Sequence, residues 1–191
     1  MNPMNIKKTY KAALAILVCA LPLALHAAPP KVGDKAPDFA LKQLDDQPVR
    51  LSKLTASGKV VLIVLRGWPG YQCPLCTRQV QDYLAAASDF AGVKARVVMV
   101  YPGPADELQA HAKEFLGNKQ WPKDFFYVTD PDYVMVNAYG LRWDAPNETA
   151  YPSTFLLDKN GIVRFAKISH SHGDRTKAAD MLEELKRSPK N

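Results

Sequence analysis

Cysteine is scarce in these 191 residues: there are three, Cys19, Cys73 and Cys76, and no second C-x-x-C accompanies the Cys73/Cys76 pair. That excludes the multi-bridge scaffold of small stapled domains, because a bridge across two intervening residues closes almost no loop and removes little chain entropy. Lys and Arg never run beyond two in a row, which excludes the basic stripe of a nucleic-acid-binding surface. Internal repeats and low-complexity segments are lacking as well. The longest apolar stretch, Ala12 to Leu25, is interrupted by Pro22 and is shorter than the roughly 20 residues a membrane-spanning helix needs.

What the N-terminus does carry is a leader pattern. Lys7, Lys8 and Lys11 form a basic start, the apolar stretch follows, and Leu25-His26-Ala27 is a small-residue cleavage site, so residues 1–27 read as a secretory signal peptide. Val18 stands before Cys19 where lipid attachment would want a small residue. The expectation is therefore an exported protein, periplasmic or secreted, with membrane association only if the leader stays uncleaved. Removing the leader's three lysines brings the formal charge from +6 to +3. The remaining 28–191 is enough for one domain with its own core. Of its residues only Cys73 and Cys76 bear sulfhydryls, so the pair reads as chemical equipment in preference to a structural staple.

Hydrophobic patterning places that pair. Short alternating stretches either side of Asp45-Asp46, within Val32–Leu54, predict a leading hairpin. VVLIVLR, Val60 to Arg66, is a continuous β-branched and aliphatic run of the kind buried on both faces of a sheet, and ARVVMVY, Ala95 to Tyr101, repeats it. Between them Val80, Tyr83, Leu84 and Ala87 fall at helical intervals. A helix opened by Pro104, a short strand over Phe125–Asp130, a helical turn or two around Tyr133–Leu141, a hairpin turning at Lys159-Asn160-Gly161 and a closing amphipathic helix complete the pattern. Parallel strands linked by helices predict an α/β fold, a sheet covered on both faces.

The C-x-x-C thus stands where a buried strand hands over to a helix. Free N–H groups and the positive dipole end at a helix N-terminus stabilise a thiolate and lower its pKa below the ~8.5 of a free thiol. Residues three apart share a helix face, which brings two sulfurs within bonding reach. Redox cycling is the reading that uses both features. An inert disulfide, or half of a zinc site completed by His111, His170 or His172, are the alternatives.

Here the sequence resembles a known family. VGDKAPDFAL is similar to the opening motif of the peroxiredoxins (alkyl hydroperoxide reductase/thiol-specific antioxidant, redoxin) within the thioredoxin-like superfold, and PGYQCPLCTRQ resembles their active-site segment. The resemblance covers the whole of 28–191 and implies a thioredoxin-like fold with an N-terminal β-hairpin extension and a central mixed sheet flanked by helices. In that family a proline precedes a threonine by four residues and the peroxidatic cysteine by seven. Here these positions are Pro69, Cys73 and Cys76, so a cysteine replaces the threonine. That change resembles the peroxiredoxin-like branch in which a strand ending in Arg-Gly leads into C-P-x-C. Tyr151-Pro152-Ser153-Thr154-Phe155 is similar to the thioredoxin segment whose cis-proline packs on the redox pair, which implies a cis Pro152. The family's late-strand arginine has no counterpart beside Pro152 and Ser153, leaving Arg175 and Arg66 as the candidate guanidinium groups. Thr77, next to Cys76, completes the supporting residues.

Two mechanisms share one product. As a peroxidase, Cys76 would attack the peroxide and Cys73 resolve the sulfenic acid; as a disulfide reductase, Cys73, taken as the more exposed, would attack and Cys76 resolve. Either ends in a Cys73–Cys76 disulfide, needs no bound cofactor, and draws on an external thiol reductant such as a thioredoxin-type relay. A third reading resembles the copper chaperones of cytochrome oxidase assembly, with Cys73, Cys76 and His170 holding copper(I). Asp130, Trp68, Trp143 and Tyr71 are further candidates to line the site, and Asn147-Glu148-Thr149 is a formal glycosylation sequon.

Overall fold

The structure is a computed structural model that describes residues 27–188. The leader expected over 1–27 lies, apart from Ala27, outside the described residues. Seven strands form one sheet in the order β2-β1-β5-β4-β3-β6-β7. The expected hairpin is β1 (Ala40–Gln43) and β2 (Pro48–Arg50), antiparallel to each other and laid along one edge against β5. β3 (Val60–Val64), β4 (Arg96–Gly103) and β5 (Phe125–Pro131) are parallel neighbours. β6 (Ser153–Leu157) and β7 (Val163–Ile168) run antiparallel on the far side of β3, so the sheet is mixed.

The run of apolar residues in β3 is explained by a second layer on each face. Successive side chains of a strand point to opposite faces. Val61, Ile63 and Leu65 therefore enter one core together with Val97 and Met99, while Val60, Leu62 and Val64 enter the other with Val98 and Val100. The first core is closed by α2 (Pro74–Ala85), α3 (Ala87–Gly92), α4 (Leu108–Leu116) and α6 (Ala178–Arg187), through residues such as Val80, Phe90, Phe115 and Met181. The second is closed by α1 (Leu51–Ala56), α5 (Val134–Ala138) and the segments around them, through Leu51, Met135, Val136 and Tyr139. Among the described residues no helix is long and apolar enough to cross a membrane.

Two boundaries differ from expectation. The helical spacing that begins at the cysteines breaks at Ala86 (ψ 11°), dividing it into α2 and α3. Pro104 does not open α4; Glu107 takes a left-handed conformation (φ 58°) and the Ala105 N–H is held by Asp132 Oδ1 at 2.9 Å, so the helix starts at Leu108.

The end of β3 positions the site. After Leu65, whose N–H still donates to Val100 O (2.9 Å), the chain turns at Gly67 with φ +72° and Trp68 N–H bonds Pro102 O at 3.0 Å. A Cβ at Gly67 would stand 1.8 Å from that same carbonyl oxygen, so both the positive φ and the close approach require glycine. The loop from Arg66 to Cys73 is thereby pinned to β4 before it delivers the cysteines to α2.

Candidate active site

Pro74 occupies the first helical position of α2, where its missing N–H costs nothing, and Cys73 is the N-cap with extended backbone (φ −77°, ψ 113°). Cys76 lies in the first turn, one face above it. Both are free thiols. They differ in surroundings less by exposure than expected: Cys73 is 3% and Cys76 0% exposed. The electrostatics separate them. Cys73 is brought down to about 5, first by the hydrogen bond that Cys76 S–H donates to its sulfur, against the opposing effect of burial, and then by the Cys76 N–H, the Arg175 guanidinium and the Leu75 N–H facing it. Cys76 is pushed well above the ordinary thiol range by complete burial and by giving its proton to that same contact. Of the two, Cys73 is the thiolate at neutral pH and Cys76 the thiol.

The peroxiredoxin spacing counted from Pro69 marks Cys76 as the attacking sulfur, whereas the electrostatics favour the thiolate on Cys73. The reason is positional. A side chain at the N-cap faces the unpaired N–H groups of the first turn, whereas one inside that turn packs against the sheet.

Arg175 is the guanidinium at the site. Its Nη2 lies 3.8 Å from Cys73 Sγ, its Nη1 donates to Gln79 Oε1 at 3.0 Å and its Nε to the His172 carbonyl at 2.8 Å. No motif singles out Gln79; its place one turn beyond Cys76 on the same face of α2 is the signal that finds it.

Arg66, the other candidate, turns away from the sulfurs. Buried to 2% exposure, it donates from Nε to Glu148 Oε2 (2.6 Å), from Nη2 to the Asn147 carbonyl (2.6 Å) and from Nη1 to the Tyr71 hydroxyl. Glu148 in turn contacts His172 Nε2 through Oε1 at 2.8 Å. Burial works against ionisation of Glu148, yet its contacts with Arg66 and His172 hold the carboxyl below its ordinary value. No local pattern announces this triad, since Arg66 and Glu148 are 82 residues apart.

The remaining expectations are placed as follows. Pro152 is buried immediately before β6, but no cis peptide bond occurs among the described residues, so it is trans. The strand runs into it without a reversal, Tyr151 N–H bonding Leu141 O and Pro152 O accepting from Ser169 N–H, both at 2.9 Å. Thr77 acts on backbone, its N–H and Oγ1 donating to Cys73 O at 3.1 and 3.4 Å. Pro69 lies in the bend between Trp68 and Gly70, the latter at φ +107°. Trp68 stacks on His111 at 3.5 Å and Tyr71 rims the loop, whereas Asp130 is elsewhere, its two oxygens accepting the Met135 and Val136 N–H groups at 2.9 Å at the head of α5. The sequon's Thr149 is buried in the fold.

The donor set for copper does not assemble. His170 is exposed and its ring packs on Tyr151, 4.9 Å between centroids, instead of joining the sulfurs. Among the described residues no three His, Cys, Asp or Glu side chains converge as metal ligands.

With the pair, the helix N-terminus and the guanidinium in place, the family follows from one comparison: the Redoxin family model matches residues 31–182. The chain belongs to the redoxin family. It is 33% identical over 138 residues to the Helicobacter pylori protein bcp, named as a peroxiredoxin, covering 70% of this chain and 84% of that one. Rice chloroplastic peroxiredoxin Q is 28% identical over 133 residues, 70% of this chain; the chain spans only 57% of the rice protein's length. Among solved structures, the peroxidoxin BcpB of Mycobacterium tuberculosis superposes with a TM-score of 0.65 at 24% identity, covering 84% of this chain and 99% of that one, and shows the same thioredoxin-like fold.

One consequence is measurable directly. Only the thiolate is alkylated, so Cys73 of the reduced protein is expected to react with iodoacetamide at full rate at neutral pH and to lose half that rate as the pH falls to about 5. Peptide mapping of single-labelled protein would locate the label. A midpoint near the ~8.5 of a free thiol would contradict the geometry.

Proposed function

We propose that the chain is an exported thiol-dependent peroxidase of the peroxiredoxin-like type, in which Cys73 attacks and Cys76 resolves. The observation that carries this is the Arg175 guanidinium, 3.8 Å from the sulfur that the Cys76 S–H and the first-turn N–H groups keep ionised. The Cys73 thiolate attacks one peroxide oxygen; the O–O bond breaks, Cys73 becomes a sulfenic acid, and the departing oxygen takes a proton and leaves as water or an alcohol. The positive guanidinium offsets the negative charge that moves onto the departing oxygen. Cys76 then gives up its proton and attacks Cys73 Sγ, hydroxide leaves as water, and the disulfide forms. Two electrons have passed from the pair to the peroxide. An external dithiol, of thioredoxin type, returns them by exchange through a mixed disulfide. A sulfur only 3% exposed suits a substrate as small as a peroxide. The leader pattern at residues 1–27 supports export to the periplasm or beyond.

A second reading, thiol-disulfide exchange on a protein substrate, is favoured by the C-x-x-C at a helix N-cap. Both start at Cys73, and one measurement separates them. Pre-reduced protein is mixed in turn with hydrogen peroxide, an alkyl hydroperoxide and a model disulfide, and thiol loss is followed in a single turnover. The expected result is stoichiometric conversion of the dithiol by peroxide at about 10³ times the rate of free cysteine or faster. Peroxide reacting no faster than free cysteine, with rapid oxidation by the disulfide, would replace the first reading by the second.

A further inference from the structure

Three irregular segments are joined by side-chain contacts: the loop after β3, the stretch 142–150, and the segment 169–177 that joins β7 to α6 and carries Arg175 to Cys73. The last has no helix or strand of its own, so the position of its guanidinium depends on how the segment is tied down. Its beginning is held by the Ser169 N–H on Pro152 O, and its end by Thr176 Oγ1, which is 2.8 Å from both the Tyr83 hydroxyl and Thr154 Oγ1. In between, besides the contacts of Arg175 itself and the packing of the His170 ring on Tyr151 and the His172 ring on Trp143, stand two polar ties to other elements. One is the Lys167–Asp174 pair, solvent-exposed and therefore of little weight. The other is His172 Nε2 on Glu148 Oε1, at 2.8 Å and with the carboxylate 10% exposed.

We propose that Glu148 is a positioning residue for the redox site: braced by Arg66, it holds His172, and the His172 carbonyl aims Arg175 at Cys73 Sγ. This rests on the reading of Cys73 as the attacking sulfur. The chain of contacts is continuous, Arg66 Nε to Glu148 Oε2 at 2.6 Å, Glu148 Oε1 to His172 Nε2 at 2.8 Å, Arg175 Nε to His172 O at 2.8 Å and Arg175 Nη2 to Cys73 Sγ at 3.8 Å. One residue, His172, contributes its ring to the anchor and its carbonyl to the aim, so a rotation that frees the ring also moves the carbonyl. The final contact is already long for a hydrogen bond to sulfur, and a displacement of about 1 Å is enough to spoil such an alignment. Arg66 is the fixed end of the chain: its place just past the strand end is set by β3, and it also donates to Asn147 O and the Tyr71 hydroxyl. A single buried carboxylate thus couples the loop that presents Cys73 to the loop that presents its guanidinium.

The test reads the ionisation of Cys73, by thiolate ultraviolet absorbance against pH, in the full-length reduced protein. Glu148→Gln and His172→Ala are each expected to raise its midpoint by about 1 pH unit. Arg175→Ala should raise it at least as far, and the doubles Glu148→Gln/Arg175→Ala and His172→Ala/Arg175→Ala no further, because the effect passes through Arg175. His172→Gln, whose amide can still donate to Glu148, should restore the wild-type midpoint. His172→Ala leaves the Arg66–Glu148 pair intact, so it keeps the test open if Glu148→Gln folds poorly. Wild-type midpoints in both single variants, or shifts that add to that of Arg175→Ala, would overturn the positioning role while leaving Cys73 as the attacking sulfur. A wild-type midpoint in the ordinary thiol range would overturn both.

Discussion

Cys73→Ser is expected to slow the single-turnover reaction with peroxide by roughly 10³-fold, while Cys76→Ser keeps the first step and stalls after it. Ionisation alone accounts for much of the difference. At pH 7 a thiol titrating near 5 is almost wholly thiolate, whereas burial and the contact with Cys73 keep Cys76 protonated. The guanidinium beside Cys73 and the complete burial of Cys76 supply the rest. Intact mass is the readout. In Cys76→Ser, a one-oxygen gain should appear rapidly and be trapped on Cys73 by a sulfenic-acid reagent. In Cys73→Ser, Cys76 should stay unmodified over the same interval. Rapid oxygen gain on Cys76 in Cys73→Ser would restore the assignment suggested by the spacing from Pro69, with Cys73 reduced to the resolving role. Because Cys76 S–H is the largest influence lowering Cys73, the Cys76→Ser variant should also show a Cys73 midpoint displaced from wild type.

Arg66→Ala is expected to lower the unfolding free energy by about 3–5 kcal/mol, since it strips a mostly buried carboxylate of its partner. For a chain of this size that corresponds to a fall in Tm of about 10 °C. Arg66 is 2% exposed, and its three donor contacts join the end of β3 to Tyr71, Asn147 and Glu148. Removing the cation leaves Glu148 buried to 10% exposure with His172 as its remaining partner, and leaves the Asn147 carbonyl without its donor. Replacing both members of the pair is a different experiment. Arg66→Met/Glu148→Leu removes both charges together and keeps side-chain volume, so most of the lost stability should return. Its Cys73 midpoint should nevertheless stay raised, because His172 has lost its anchor. Urea denaturation of the three proteins measures the first effect and thiolate titration the second. Equal stability of Arg66→Ala and wild type would show that the triad does not stabilise the fold, and a double variant no more stable than the single would show that the loss does not come from leaving Glu148 unpaired.

Several elements are legible in the residue pattern itself. The β-branched runs Val60–Arg66 and Ala95–Tyr101 form adjacent parallel strands because a sheet buried on both faces needs apolar residues at consecutive positions. The Asp45-Asp46 turn joins the hairpin β1–β2, and Pro74 after Cys73 does open a helix. Local chemistry is readable as far as the junction itself: a C-x-x-C where a strand hands over to a helix favours a thiolate, without showing on which of the two sulfurs. Where the pattern misleads, contacts between distant segments have won. A cis Pro152 is implied by family likeness, and the strand pairing with β3 accommodates it trans. Pro104 as a helix opener loses to the hydrogen bond between Ala105 and Asp132.

The amino-acid sequence by itself determined the class of fold, the placing of Cys73 and Cys76 at a strand-to-helix junction, and the redox cycling that two thiols there can perform. These follow from periodicity and from neighbours along the chain, which act over one or two turns. Which sulfur carries the charge, which arginine serves it and which serves the scaffold were decided only by tertiary structure. Arg175 and Cys73 are 102 residues apart, and Arg66 and Glu148 are 82. A thiol's acidity depends on burial and on charges within a few ångströms, and for Cys73 the hydrogen bonds come from Cys76 and Leu75 beside it while the charge arrives with Arg175 from a distant loop.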